Sequence, residues 1–163
     1  MPCGDAMITE VISARSDQTV AEVLALFEEH NIRGLPVVDK DNNLVGVYNF
    51  KHMLMDLMPF PVDEKLKRIH ILDMNLDHIA GGKPWVERQL TKLLDKKMSD
   101  VMIKEPHYAH ESTSLREGIR LLVKYGSPIV VVKKDSMEVV GVVSSQSIVK
   151  DLRSLNVSVN KGA

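Results

Sequence analysis

At 163 residues, with 44% apolar and 26% charged side chains, the chain is long enough to bury roughly 70% of its unfolded surface, so its composition suits a folded domain, or two very small ones, rather than a disordered segment. Its 21 basic and 22 acidic side chains nearly cancel, which offers no concentrated basic surface for a nucleic-acid backbone. A lone Cys3 rules out an internal disulfide, no apolar run approaches the ~20 residues that span a bilayer, and Asp5 and Glu10 interrupt any signal-peptide core, so a cytoplasmic protein away from membranes is expected.

Along the chain, a short extended piece at Val11–Ala14 precedes Thr19-Val20-Ala21-Glu22, a capping box in which hydroxyl and carboxylate each satisfy a free backbone N–H. Val20, Val23, Leu24 and Phe27 then recur at helical spacing. Leu35-Pro36-Val37-Val38 reads as a strand buried on both faces, Asp39 to Asn43 as a turn, and Leu44 to Tyr48 as the returning strand of a hairpin. A helix follows from about Phe50 to Leu57, where Met53, Met55 and Met58 suit core packing or an adaptable contact surface.

Residues 58–97 are too long for a bare loop. Leu66, Ile69 and Leu72 either prolong the preceding helix or lie in a loop ending at Gly81-Gly82. Pro84 then suits the first position of a helix whose apolar stripe is Val86, Leu90, Leu93 and Leu94, continuing to Lys97. Next come an extended Tyr108–His110, a second capping box at Ser114–Glu117, and a helix face of Leu115, Gly118, Ile119 and Leu122. The strand Ile129–Val132, a polar turn from Lys133 to Glu138, the strand Val139–Val143 and a helix from about Gln146 to Leu155 complete the chain.

The two halves are the same unit twice. The shift that carries Gly46 onto Gly141 also aligns, without a gap, Met7-Ile8 with Met102-Ile103, Glu22 with Glu117, Leu26 with Leu121, Val37 with Val132 and Asp56-Leu57 with Asp151-Leu152. The order strand, helix, strand, strand, helix, the apolar-Pro-Val-Val and Val-Gly-Val segments, and the paired Asp5-Ala6-Met7 and Asp100-Val101-Met102 resemble the family of domains named after cystathionine β-synthase (CBS), here as the tandem pair called a Bateman module. The resemblance implies an α/β fold of two βαββα repeats packed sheet to sheet about a pseudo-twofold axis, and pairing of two modules as a homodimer. The expected organisation is a first repeat at 1–57, a helical linker at 58–97, a second repeat at 98–155 and a tail at 156–163.

The resemblance also points to clefts between the repeats that hold adenosyl ligands: AMP, ADP, ATP or S-adenosylmethionine as regulatory ligand rather than required cofactor. The family pattern after the Val-Gly-Val strand is a hydroxyl residue, two variable residues and an Asp that binds ribose. Ser144-Ser145-Gln146-Ser147 keeps the hydroxyl and lacks the Asp; Asn49-Phe50-Lys51-His52 keeps neither. The leading site is therefore Arg33 and Gly34 from the first repeat with Lys104, Tyr108, Ser144 and Ser147 from the second, Arg33 and Ser144 forming a phosphate clamp. Helix capping is the plainer role for Ser144 and Ser147. A second, weaker site would use Thr9, Asn49, His52 and Pro128.

His107 and His110 point to opposite sides of an extended chain and make a poor metal pair, whereas His70, Asp73, Asp77 and His78 would share a helix face, more simply a solvated one than a metal site. No nucleophile, phosphate-loop or dinucleotide motif is present, so no enzymatic activity is expected. The expectation is a regulatory sensor; the alternative is an adaptor that dimerises and regulates a partner protein without binding nucleotide.

Overall fold

The computed structural model describes residues 1–58, 75–77 and 82–162. The first half contains α1 (Cys3–Ala6), β1 (Ala14–Arg15), α2 (Val20–His30), β2 (Gly34–Val38), β3 (Leu44–Asn49) and α3 (Phe50–Asp56). The second contains α4 (Gly82–Leu94), α5 (Met98–Val101), β4 (Tyr108–His110), α6 (Leu115–Tyr125), β5 (Ile129–Val132), β6 (Val139–Val143) and α7 (Ser145–Lys161). Leu66, Ile69, Leu72, His70, Asp73 and His78 lie outside the described residues.

Helix α2 starts as its sequence dictates: Thr19 Oγ1 accepts from Glu22 N at 3.3 Å, and Glu22 Oε2 accepts from Thr19 N at 3.4 Å. At α6 only half of the expected box forms. Ser114 Oγ accepts from Glu117 N at 3.2 Å, but the Glu117 carboxylate turns to Arg120, whose Nε donates to Oε2 at 2.7 Å, because a guanidinium one turn away outcompetes a backbone amide. The buried face of α2 is Val20, Val23 and Phe27, whereas α6 buries Leu115, Gly118 and Leu121 and leaves Ile119 38% exposed, so its stripe is rotated from the expected one. Helix α4 ends at Leu94, short of Lys97, which instead precedes α5 as its N-cap.

Each half forms a three-stranded sheet, ordered β1-β2-β3 and β4-β5-β6, with the first pair parallel and the second antiparallel. Both hairpins carry an irregularity, between Val37 and Val38 and between Val131 and Val132; Val37 pairs with Gly46 as Val131 pairs with Gly141, so in these strands the expected gapless match of Val37 with Val132 slips by one residue. In the first hairpin turn, Asp39 Oδ1 accepts from Asp41 N and Asn43 N, each at 2.9 Å. These bonds, that from Asn43 foremost, hold the Asp39 carboxyl below the usual carboxylate range. Strand β1 is shorter and later than the expected Val11–Ala14, because only Ala14 and Arg15 come into register with Val37 and Val38.

The preceding residues are engaged elsewhere. Ile8 exchanges backbone bonds with Val142 of β6 (Ile8 N to Val142 O 2.8 Å, Val142 N to Ile8 O 3.0 Å), and Ile103 does the same with Val47 of β3 (2.8 and 3.1 Å). Each lead-in segment thus covers the open edge strand of the other repeat's sheet, satisfying groups that an uncovered edge would present to other chains. The short helices follow them across. Cys3 and Ala6 of α1 are buried with Ala109, Leu115, Leu121 and Ile129, while Met98 and Val101 of α5 are buried with Ala14, Val20, Val23 and Phe27.

This crossing explains the repeated glycine of each Val-Gly-Val strand. A Cβ on Gly46 would lie 2.5 Å from Met102 Sδ and 2.9 Å from the Ile103 carbonyl oxygen; on Gly141 it would lie 2.6 Å from Met7 Sδ and 3.0 Å from the Ile8 carbonyl oxygen. The Met of each Asp-x-Met motif therefore rests on the glycine of the opposite repeat. Between the sheets, Val38, Leu44, Val47, Val130, Val132 and Val139 form one buried cluster, so the repeats pack sheet to sheet.

Candidate functional site

The seam between the sheets opens into two cavities with equivalent walls. One, of about 330 Å³, is bounded by Ile8, Glu10 and Ile12 of the first lead-in segment, by Arg33, Gly34 and Pro36 at the start of β2, and by Ser127, Pro128, Ser144 and Gln146 from the second repeat. The other, of about 460 Å³, has the reverse composition: Asn49, Lys51 and His52 from the first repeat face Ile103, Glu105 and His107 of the second lead-in segment, with Lys124, Tyr125 and Pro128 closing it. Gly34 marks the closest approach of the two walls, since a Cβ there would sit 2.6 Å from Pro128 Cδ and 3.1 Å from the Ser127 carbonyl oxygen.

Of the residues singled out for the leading site, Arg33, Gly34 and Ser144 line the first cavity together. Ser147 does not, and neither do Lys104 and Tyr108. The latter two follow a lead-in segment that crosses to the first repeat's sheet, so its neighbours Ile103, Glu105 and His107 line the second cavity; Lys104 is exposed, and Tyr108, 42% exposed, begins β4 beside Val130. For the same reason Thr9 departs from the weaker site: Asn49, His52 and Pro128 meet in the second cavity, while Thr9 lies in a groove with Ser147, Lys150 and Asp151. Glu10, Ile12 and Gln146 of the first cavity, and Lys51, Glu105, His107, Lys124 and Tyr125 of the second, were not singled out. The repeat register carries only part of the signal that could have found them: it makes Lys51 the equivalent of Gln146 and His107 that of Ile12, but Lys124 corresponds to Glu29, which is not among the residues lining either cavity.

Ser144 and Ser147 cap each other. Ser147 N donates to Ser144 Oγ at 3.1 Å, Ser144 N donates to Ser147 Oγ at 3.0 Å, and Ser147 Oγ donates to the Ser144 carbonyl at 3.0 Å. Ser147 is thereby committed to the helix start and only 8% exposed, so its hydroxyl is no substitute for a ribose-binding carboxylate. Ser144 Oγ keeps its own proton to offer. On the other side Asn49 Oδ1 accepts from His52 N at 2.8 Å, and His52 Nε2 lies 2.9 Å from the Val101 carbonyl, an acceptor only, which places a proton on Nε2 and leaves Nδ1 as the second ring nitrogen.

Behind the second cavity, Tyr48 is fully buried and edge-on to His52 at 6.2 Å between centroids. Its hydroxyl has no hydrogen-bond partner among the described residues. Burial, assisted by the nearby Asp56 charge, pushes its phenol well above the ordinary range. Burial also raises the Asp56 carboxyl, opposed by His52 and Lys96. At the rim, the His107 ring stacks on Tyr125 with centroids 3.3 Å apart and planes 14° from parallel, and Lys124 Nζ sits 5.2 Å from the Tyr125 ring centre. Among the described residues no group of three or more His, Cys, Asp or Glu side chains is placed to hold a metal ion, and no helix is long and apolar enough to cross a membrane.

Comparison with known proteins places this geometry. Over 95% of its length the chain superimposes on 96% of the CBS-pair protein CBSX2 from Arabidopsis thaliana, with a TM-score of 0.70 and 22% identity. CBSX2 has also been solved in complex with AMP. Over 93% of its length the chain matches 99% of the CBS domain pair of protein MJ0100, in complex with 5′-methylthioadenosine and S-adenosyl-L-methionine, with a TM-score of 0.63 and 21% identity. In sequence, it is 23% identical to an uncharacterised protein of Methanocaldococcus jannaschii over 83% of the chain and 82% of that protein. A 51-residue stretch is 41% identical to inosine-5′-monophosphate dehydrogenase of Mycobacterium tuberculosis, covering 10% of that enzyme. The CBS domain profile matches residues 3–58 and again 98–154, more than half of the chain. The chain belongs to the CBS domain family and carries that domain twice.

Proposed function

We propose that this CBS pair is a regulatory module that binds an adenosyl ligand in the clefts between its repeats, and acts through a partner protein or a change in assembly rather than by catalysis. The observation that carries the reading is that each cavity is incomplete without both repeats, the first taking Arg33 from one and Ser144 from the other. A ligand there has different contacts when the repeats shift, the condition for occupancy to bias their arrangement. The AMP complex of CBSX2 and the methylthioadenosine and S-adenosylmethionine complex of MJ0100 support the ligand class.

The test is thermal denaturation of the full chain with AMP, ADP, ATP and S-adenosylmethionine. A ligand at a hundred times its dissociation constant stabilises by about 2.7 kcal/mol, which for a chain of this size raises Tm by roughly 5–10 °C. Arg33→Ala should shrink the shift of any ligand held in the first cavity. No shift with any of the four would reject the reading.

One observation favours the adaptor alternative, or its combination with sensing. Leu54 on α3 and Val149 on α7 occupy equivalent positions, and they and Leu152 are 56%, 56% and 51% exposed. We infer that two modules pair through these helices as a homodimer. Leu54→Glu with Leu152→Glu should then convert a dimer to a monomer in light scattering; an unchanged mass would rule the pairing out.

A further inference from the structure

The two cavities share a backbone plan but not a charge. In the first, Arg33 and Glu10 offset one another in charge, and apart from these two the lining is apolar or neutral, with Ile8, Ile12, Pro36 and Gln146 among it. In the second, Lys51 and Lys124 outnumber Glu105, and His52 and His107 add two imidazoles. Two positions compare directly through the repeat register: Lys51 replaces Gln146 and His107 replaces Ile12. The other two, His52 and Lys124, have counterparts, Ser147 and Glu29, that are not among the residues lining the first cavity.

The geometry concentrates that positive charge on opposite walls. Lys51 lies in the first turn of α3, in the first repeat; Lys124 lies in the last turn of α6, in the second. Both side chains are exposed and neither has an acidic partner among the described ion pairs. A polyanion placed between the repeats would meet an ammonium group from each wall, and the stacked His107 and Tyr125 rings supply a flat wall for a base. His52 also lines this cavity, and its Nδ1 remains available because Nε2 is held by the Val101 carbonyl.

We propose that the clefts sort ligands by charge: the Asn49–His52 cleft takes a nucleoside polyphosphate, and the Arg33–Ser144 cleft takes a nucleoside of little net charge. This rests on the reading of both clefts as adenosyl sites. It gives the module two inputs in place of two copies of one.

Isothermal titration of the full chain with ATP and with 5′-methylthioadenosine tests it. The two ligands should bind additively without competing. ATP binding should weaken as salt rises, while that of methylthioadenosine should not. A Lys51→Ala/Lys124→Ala variant should lose at least about tenfold in ATP affinity, as expected for charge-assisted bonds, with methylthioadenosine unchanged. Lys124→Glu, which copies the residue at the equivalent place in the first repeat, should weaken ATP further. These surface changes should leave the melting curve of the free protein unaltered, which separates lost binding from lost folding. Competition between the two ligands, or ATP affinity untouched by the lysine changes, overturns the sorting and leaves the sensor reading standing. If neither ligand binds, both fall.

Discussion

Seating a methyl group on Gly141 tests the crossing of the lead-in segments. In Gly141→Ala the new Cβ would lie 2.6 Å from Met7 Sδ and 2.9 Å from Met7 Cγ, both inside van der Waals contact, and 3.0 Å from the Ile8 carbonyl oxygen. Overpacking of this kind costs about 1–3 kcal/mol. The thioether can swing aside, but the Ile8 carbonyl is pinned by its bond from Val142 N at 3.0 Å, so relief by side-chain motion is partial. Met7→Ala alone removes packing, yet combined with Gly141→Ala it also removes the clash. The double variant should therefore be at least about 1 kcal/mol more stable than the two single losses predict. Pairing Gly141→Ala with Met102→Ala should give losses that add to within about 0.5 kcal/mol. Urea denaturation of the three single and two double variants and the parent chain, read as midpoint and slope, supplies the numbers. Coupling of Gly141 to Met102 instead of Met7 would show that each repeat keeps its own lead-in segment, refuting the crossing and the cavity walls built on it.

Other outcomes follow from buried groups. Tyr48→Phe removes a buried hydroxyl that lacks a partner among the described residues and should stabilise the protein by about 1 kcal/mol, seen as a higher urea midpoint. Burial holds the Cys3 thiol and the Tyr48 phenol above their unfolded values, so the folded state binds those protons more tightly. Their contribution is intact below the unfolded range and lost as the pH climbs above it. Stability should therefore fall from about pH 8.5 upward and more steeply beyond about pH 10, and a flat alkaline profile would contradict the burial. Iodoacetamide should label Cys3 far more slowly in the native protein than in urea, because Cys3 is fully buried. Ser147→Ala removes the hydroxyl's half of the reciprocal cap of α7, leaving the Ser147 N–H on Ser144 Oγ, at a cost of about 1 kcal/mol while leaving ligand-induced stabilisation unchanged; loss of the ligand response instead would give Ser147 a direct binding role.

Local rules were legible in the sequence because they depend on neighbours. The Thr19–Glu22 box, the β-branched strands and the polar hairpin turns all stand where residue spacing puts them, and the internal repeat exposed the two-sheet plan. The lead-in segments were not legible. Met7-Ile8 and Met102-Ile103 carry the same signal in both repeats, and an alignment of one repeat onto the other is unchanged whether each segment covers its own sheet or its neighbour's. That ambiguity put Lys104 and Tyr108 with Ser144, and Thr9 with Asn49. The Glu117 half of the second box failed for a related reason: Arg120, three residues on, competes for the same carboxylate. Long side chains at cavity rims, such as Lys124 and Tyr125, acquire meaning only once the opposite wall is in place.

The crossed lead-in segments make neither half of the gene a self-sufficient folding unit. A polypeptide holding one copy would leave a sheet margin bare and a hollow under its first long helix where Cys3 or Met98 belongs. Two such polypeptides could mend both defects only by lending each other their leading ends, rebuilding both pockets between separate molecules. Fusing two copies into a single chain turns that loan from an encounter governed by concentration into an intramolecular one, after which each pocket is free to acquire its own chemistry.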